Sequence, residues 1–388
     1  MDPMLTAMQV AALVVCGMCH ALLGSIKVPL ARQLNIDEAR VGGLVSVFGF
    51  TLIPMVLVFG FLVDVFGKQV VLAGGFSLLI ASMIMLAALT SYRTALLAVL
   101  LLGTGWSALV NVLNVTTPPA FLSPEYNNEV HMPYAMNLGD FVFGMGAFLT
   151  PILVAFLLQK ISLARTFLVL AAFAVVPVLL GLGVKWARLD SPSTQTVAEG
   201  LRILLSDPIV WLCCLAFFCH VPIEASVAAW ATTLMTDKKV SEAQASTLLS
   251  VFWLSFMGSR LITALTLPPG AGLILVISLA ALCIVFTLGI AFSRSAALSC
   301  TMVVAAGLIL GPIFPTLLAI LLGHVEKPLH GRAVGLFFCI GGIGWTAVPL
   351  LIGWYAKRTN VQRAFLIATV SATMLTALCT ALGVYLSK

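Results

Sequence analysis

The sequence predicts an all-α membrane protein: twelve transmembrane helices in two pseudo-symmetric six-helix bundles. Three observations predict it. Of the 388 residues, 61% are hydrophobic and only 9% are charged, where soluble domains carry about 25% charged residues. Apolar runs of the roughly 20 residues needed to cross hydrocarbon recur along the chain. Short residue strings also recur about half a chain apart. The same composition excludes a soluble enzyme, a disordered chain and a nucleic-acid module. The formal charge of +6 is spread thinly with no basic stripe, so no nucleic-acid partner is expected.

In the first half, the apolar runs lie near 7–31, 41–63, 69–91, 94–117, 134–158 and 163–186. The first follows Met1-Asp2-Pro3, which offers neither a basic n-region nor a small-residue cleavage site. It is therefore read as a retained anchor rather than a signal peptide. The sixth run ends at the longest polar connector, Lys185 to Asp207, which contains the turn-prone Ser191-Pro192-Ser193 and a short amphipathic stretch at Thr196–Leu205. The runs resume near 208–235, 243–266, 271–292, 295–323, 333–356 and 363–386. The domains expected are an N-terminal bundle over 1–186, a cytoplasmic linker over 187–207 and a C-terminal bundle over 208–388. Most other connections are short, so neighbouring helices run antiparallel.

The two halves echo one another. Cys19-His20 recurs as Cys219-His220, and Leu44-Val45-Ser46-Val47-Phe48 recurs as Leu248-Leu249-Ser250-Val251-Phe252. The offsets, 200 and 204 residues, agree closely. A duplicated six-helix unit is the plan of a parallel-repeat secondary transporter, with its site near the bilayer midplane. The nine cysteines all sit in apolar runs, where thiols behave as small hydrophobes. Cys16-x-x-Cys19 has no second pair at zinc spacing, so neither a metal nor a cofactor is expected.

An ionisable group at the bilayer centre costs at least about 2.5–3.5 kcal/mol on insertion scales, so it faces a partner or a water-filled cavity. Four such groups stand out: Lys27 in the first run, Asp140 in the fifth, and His220 and Glu224 one turn apart in the seventh. Lys27 and Glu224 reach similar depths in the outer half, whereas Asp140 falls in the inner half, about 20 Å away in depth from Lys27. Lys27 also suits snorkelling past Pro29. Glu224 also suits a protonated, backbone-bonded carboxyl, and His220 a packed core histidine. Pro222 between them loosens the helix and frees backbone groups.

Ser107, Asn111 and Asn114 form one polar stripe on the fourth helix, at i, i+4 and i+7. They suit either solute hydroxyls and carboxylates or helix–helix contacts. Trp106, Trp230 and Trp345 suit either stacking on a ring or anchoring at an interface. Trp230, following Glu224, is the first choice among them. No nucleotide-binding loop or Ser-His-Asp arrangement is evident, so neither an enzyme nor an ATP-driven pump is expected.

Gly60-Phe61-Leu62-Val63-Asp64-Val65-Phe66-Gly67-Lys68 resembles the G-x-L-x-D-x-x-G-[RK] loop of the major facilitator superfamily. Gly60 allows close helix approach, Asp64 can face the positive end of a neighbouring helix, and Gly67 permits a tight turn before Lys68. Further stretches are similar to the fucose–proton symporter branch. They are Asn137-Leu138-Gly139-Asp140-Phe141, Ile223-Glu224-Ala225-Ser226 through Trp230, Phe252-Trp253-Leu254 through Gly258-Ser259-Arg260, and Gly311-Pro312-Ile313-Phe314-Pro315-Thr316. Ser25 and Ala108 stand where those symporters carry acids, so their proton sites do not carry over to this chain.

The resemblance implies both termini in the cytoplasm of a bacterial inner membrane. Counted in that orientation, eight Lys and Arg lie inside and eleven outside, the reverse of the positive-inside preference.

These readings converge on a monomeric secondary active transporter in membrane lipid. It would move a small polar solute, sugar-like by resemblance, by alternating access coupled to an ion, H+ or alternatively Na+. The expected substrate-binding set is Lys27, Ser107, Asn111, Asn114, Asn137, Asp140, Glu224 and Trp230. Glu224 and His220 carry proton coupling, and Gly60, Asp64, Gly67 and Lys68 form a conformational loop. The resemblance also implies that the first and seventh helices close against each other at the outer side, where Lys27 and Glu224 would pair. An organic anion or lysolipid carrier using Lys27 is the alternative, and a non-transporting membrane sensor a second one.

Overall fold

A computed structural model describes residues 2–189 and 196–387. Ser191-Pro192-Ser193 lies outside the described residues. The helices are α1 (Pro3–Ser25), α2 (Lys27–Leu34), α3 (Glu38–Phe66), α4 (Lys68–Ala87), α5 (Tyr92–Phe121), α6 (Met132–Lys160), α7 (Leu163–Gly181) and α8 (Val197–Ser206). They continue with α9 (Pro208–Asp237), α10 (Glu242–Thr266), α11 (Gly272–Phe292), α12 (Ala296–Leu310), α13 (Ile313–His324), α14 (His330–Arg358) and α15 (Val361–Leu386). Eleven spans among the described residues are long and apolar enough to cross a membrane, α12 and α13 counting as one. The 29-residue α14 is the twelfth. The fold is thus the expected twelve-helix one.

Local chemistry sets the helix ends. Asp2 accepts the Met4 N–H at 3.0 Å and Pro3 follows it at N1. Asp207 and Pro208 repeat the device at α9, with the Ile209 N–H at 2.8 Å. Ser91 and Thr94 form a reciprocal capping box on α5. Each cap satisfies a first-turn N–H that the helix leaves unpaired. Thr196 and Glu199 do the same for α8: the Thr196 N–H donates to Glu199 Oε2 at 2.8 Å and the Glu199 N–H donates to Thr196 Oγ1 at 3.2 Å.

Two spans expected as single helices are broken, each by proline. Pro29 has no N–H and its ring crowds the carbonyl four residues back, on Ser25. There α1 ends, and α2 starts after Ile26. In the tenth span Pro312 and Pro315 act together, separating α12 from α13 at Gly311-Pro312. Pro222 leaves α9 continuous but frees the Phe218 carbonyl. Gly344 of α14 packs there, since a Cβ on it would lie 2.5 Å from that oxygen.

The chain divides into two compact units: Met1–Asn127, Val142–Gly200 and Glu326–Cys339 form one, and Asn128–Phe141, Leu201–Val325 and Ile340–Lys388 the other. In the first, α5 packs on α1, α3 and α4, and α7 packs on α1 and α4. In the second, α9 packs on α10, α13 and α15, while α11 packs on α12 and α15. Within the first unit α1 meets α6 through glycines, Gly17 against the Phe143 carbonyl and Gly146 against the Val14 carbonyl. No side chain fits at either position.

Candidate functional site

In the first unit, Asp64 sits in the last turn of α3 and its carboxylate faces the start of α14. Oδ1 accepts the Gly331 N–H at 2.9 Å and Oδ2 accepts the Arg332 N–H at 3.0 Å. These are first-turn amides, unpaired within their own helix and at its positive end. Arg332 Nε lies 3.4 Å from Asp64 Oδ2, and the arginine is 2% exposed. Gly60 permits the approach, because a Cβ there would lie 2.5 Å from the Gly331 carbonyl oxygen. Gly67 takes φ of 84°, which favours glycine, and Lys68 Nζ donates to the Leu189 carbonyl at 2.8 Å. Asp64 and Gly60 thus meet the start of α14, whereas Lys68 holds the Leu189 carbonyl.

In the second unit, α6, α9 and α10 bring four ionisable side chains together. His220 and Glu224 lie one turn apart on α9, with Nε2 to Oε2 at 3.7 Å. His220 is fully buried, stacks on Phe217 at 6.4 Å, and neither ring nitrogen has a hydrogen-bond partner. From α6, Asp140 Oδ2 lies 3.5 Å from Arg260 NH2 of α10. Arg260 Nε donates to the Gly311 carbonyl at 3.0 Å, and its NH1 donates to the Asp140 carbonyl at 3.4 Å. The Gly311 carbonyl is available because Pro315, four residues later, has no N–H to give it. The guanidinium also lies over the Phe256 ring at 4.4 Å. Asn137, one turn before Asp140, donates to Thr316 Oγ1 at 3.0 Å and leaves its own Oδ1 buried without a partner.

Arg260 is the residue that sequence reasoning missed. It lies inside α10 and is 8% exposed. The depth rule that selected Lys27 and Glu224 would have selected it too.

The remaining expected residues divide by environment. On α5, Ser107 and Asn111 are fully buried: Ser107 donates to the Gly103 carbonyl, and Asn111 Nδ2 donates to the Val56 carbonyl of α3 at 2.8 Å. Asn114 is half-buried and donates to the Val110 carbonyl of its own helix. Trp230 packs against the Val348, Ile352 and Ala364 cluster with its indole N–H unpartnered. Trp106 is 8% exposed, donates to the Cys16 carbonyl at 3.0 Å and lies 5.4 Å from the exposed His20. Lys27 is half-buried at the first position of α2, in the first unit, whereas Glu224 belongs to the second.

A multi-pass, all-helical membrane fold with this loop at a helix start defines a class, the membrane transporters of duplicated design. The family model described as Major Facilitator Superfamily matches residues 10–349. The chain belongs to the major facilitator superfamily. Among curated proteins it resembles the Saccharomyces cerevisiae "Bypass of stop codon protein 6", 23% identical over 190 residues. That match spans 46% of this chain and only 38% of the yeast protein. Its fold is similar to that of the E. coli fucose:proton symporter, with a TM-score of 0.83, 15% identity and coverage of 97% and 98% of the two chains. It is similar also to a human organic anion transporter, with a TM-score of 0.79, 14% identity and coverage of 97% and 99%.

Proposed function

We propose that this chain is a secondary active transporter that moves a small polar solute by alternating access, coupled to protons. The observation that carries the reading is the buried cluster of His220, Glu224, Asp140 and Arg260 within one unit of a major facilitator fold. Intramembrane ionisable groups are expensive and mark ion pathways. Glu224, 15% exposed, is the acid best placed to exchange a proton with a cavity. A sugar-like solute is favoured by the likeness to the fucose:proton symporter, and Asn114 and Asn137 supply amides suited to hydroxyls. The second reading is an organic anion or lysolipid carrier. Lys27 supports it, as does the likeness to the human organic anion transporter.

The protein is proposed to work as a monomer in a plasma-type membrane with both termini cytoplasmic. A thermal-shift screen spanning sugars, carboxylates, amino acids and lysolipids identifies the solute, and counterflow in proteoliposomes then tests transport. Wild type should accumulate solute under an inward proton gradient, whereas E224Q should retain counterflow and lose that accumulation. Uptake by wild type that ignores the pH gradient overturns proton coupling. Specific binding without counterflow overturns transport and leaves a sensor.

A further inference from the structure

We infer that Glu224, Asp140 and Arg260 constitute a single-proton site, in which Arg260 holds Asp140 as the permanent counter-ion and Glu224 alone carries the exchangeable proton. The inference rests on the proton-coupled reading above and adds the carrier, the count and a positioning role for Arg260.

The argument is one of charge balance. Two carboxyl groups and one guanidinium share a site where α6, α9 and α10 meet: Asp140 and Arg260 lie 3.5 Å apart, and both act electrostatically on Glu224. Arginine is always charged, so it balances one carboxylate. The second acid leaves a surplus negative charge at low dielectric, a state that proteins relieve by taking up a proton.

Geometry decides which acid takes it. Arg260 cannot divide itself evenly, because three contacts aim it elsewhere. Its Nε is held by the Gly311 carbonyl, its NH1 by the Asp140 carbonyl, and its face by the Phe256 ring. The remaining NH2 points at Asp140 Oδ2 at 3.5 Å. Glu224 is left with His220 as its one basic contact among the described residues. His220 does not take the role of carrier. Neither ring nitrogen has an acceptor within hydrogen-bonding distance, so a second N–H proton would be buried unsatisfied.

Among the described residues, α10 brings only Glu242, at its first position, besides Arg260. Among the described residues of the helices packed on α9, α12 has no charged or titratable side chain beyond Cys300, and α13 brings only His324, which pairs with Asp207 at 2.7 Å. α15 brings Arg363 at its first turn, Cys379 and the terminal Tyr385. On α14, Arg358 lies over Trp354 at 3.8 Å. The step itself is a proton transfer only: one O–H bond forms at Glu224 on loading and breaks on release.

The test needs no solute. Purified protein in lipid is titrated by infrared difference spectroscopy, reading the C=O stretch of buried carboxylic acids. Any band from Asp64, whose side chain is also buried, is assigned with D64N. Wild type should show one further band, absent in E224Q and shifted in frequency in E224D. R260Q should show two, because both acids then lack a counter-ion, whereas R260K should restore one. A band that survives in E224Q, a band unshifted in E224D, or no further band in wild type overturns the inference. Size-exclusion profiles identify any variant that fails to fold, and the wild-type and E224Q spectra then decide alone. Failure of the parent reading looks different: the bands behave as stated, yet uptake ignores the pH gradient.

Discussion

Two buried arginines, Arg260 and Arg332, are held by different devices, and the difference sets what their removal should do. Arg332 has a full counter-ion in Asp64, which is also bonded to two amides of α14. D64N should leave that arginine buried and unpaired, costing about 3–5 kcal/mol. The loss reads as a lower Tm, and D64N/R332Q should cost less than the two single variants summed. An additive double variant would mean the pair contributes nothing. On α5, Asn111 ties two helices through the Val56 carbonyl whereas Asn114 bonds only its own helix. N111L should therefore cost about 1–3 kcal/mol of stability by leaving a buried carbonyl with a lost partner. N114L should keep its Tm and lose the thermal shift produced by solute. Most of the buried charges were legible from depth along apolar runs, which is how Lys27, Asp140, His220 and Glu224 emerge. Arg260 was open to the same depth rule; what no local spacing encodes is its partner, a carbonyl freed by a proline on another helix.

Helices in this fold end or bend where proline and glycine dictate, and their packing follows. Two glycines of α1 make the point by contrast. A Cβ on Gly17 would collide with the Phe143 carbonyl, while Gly24 has nothing within 4 Å. G17A should force α1 from α6 and cost about 1–3 kcal/mol. G24A should be neutral or gain up to about 1 kcal/mol of helix propensity. Thermal denaturation of the two variants checks both, and equal Tm values would deny the close crossing. At α8, the Glu199 carboxyl lies below its ordinary range because the Thr196 backbone N–H and hydroxyl donate to its charged form. A depressed acid adds stability above its unfolded value and loses it as pH falls through the folded one. Amide exchange in the first turn of α8 should thus hold steady down to mildly acid pH and accelerate below the usual carboxylate range. E199Q should abolish that pH dependence, whereas T196A, which keeps the backbone donor, should only weaken it. The periodicity of Thr196–Leu205 made this helix readable in advance. The breaks at Ile26 and Gly311 were not read, because hydropathy is blind to a missing N–H.

The duplication, twelve spans and the loop at Asp64 made the whole molecule the most legible scale, since each is a pattern repeated over many residues. Orientation is the exception, and two signals oppose each other there. Loop chemistry places the Gly60–Lys68 turn and the α8 connector on the cytoplasmic side by resemblance. The basic residues argue the reverse, eight inside against eleven outside. Charge counts act on short loops during insertion and their effect is statistical, so a difference of three over twelve spans is a weak force. The Asp64 contact, by contrast, joins this loop to the amide end of α14 in this chain's own structure. Termini inside is therefore the expected topology. It places exposed Thr196 before α8 in the cytoplasm and exposed Lys239, after α9, outside. In intact cells a membrane-impermeant maleimide should label K239C and spare T196C, which should react only after permeabilisation. Seven of the nine native thiols are buried and the other two are half-buried, so wild type serves as the reference. The opposite labelling pattern would mean that the charge count had set the insertion. Asp64 would then close the external end of its unit, and the proton step at Glu224 would be entered from the other side.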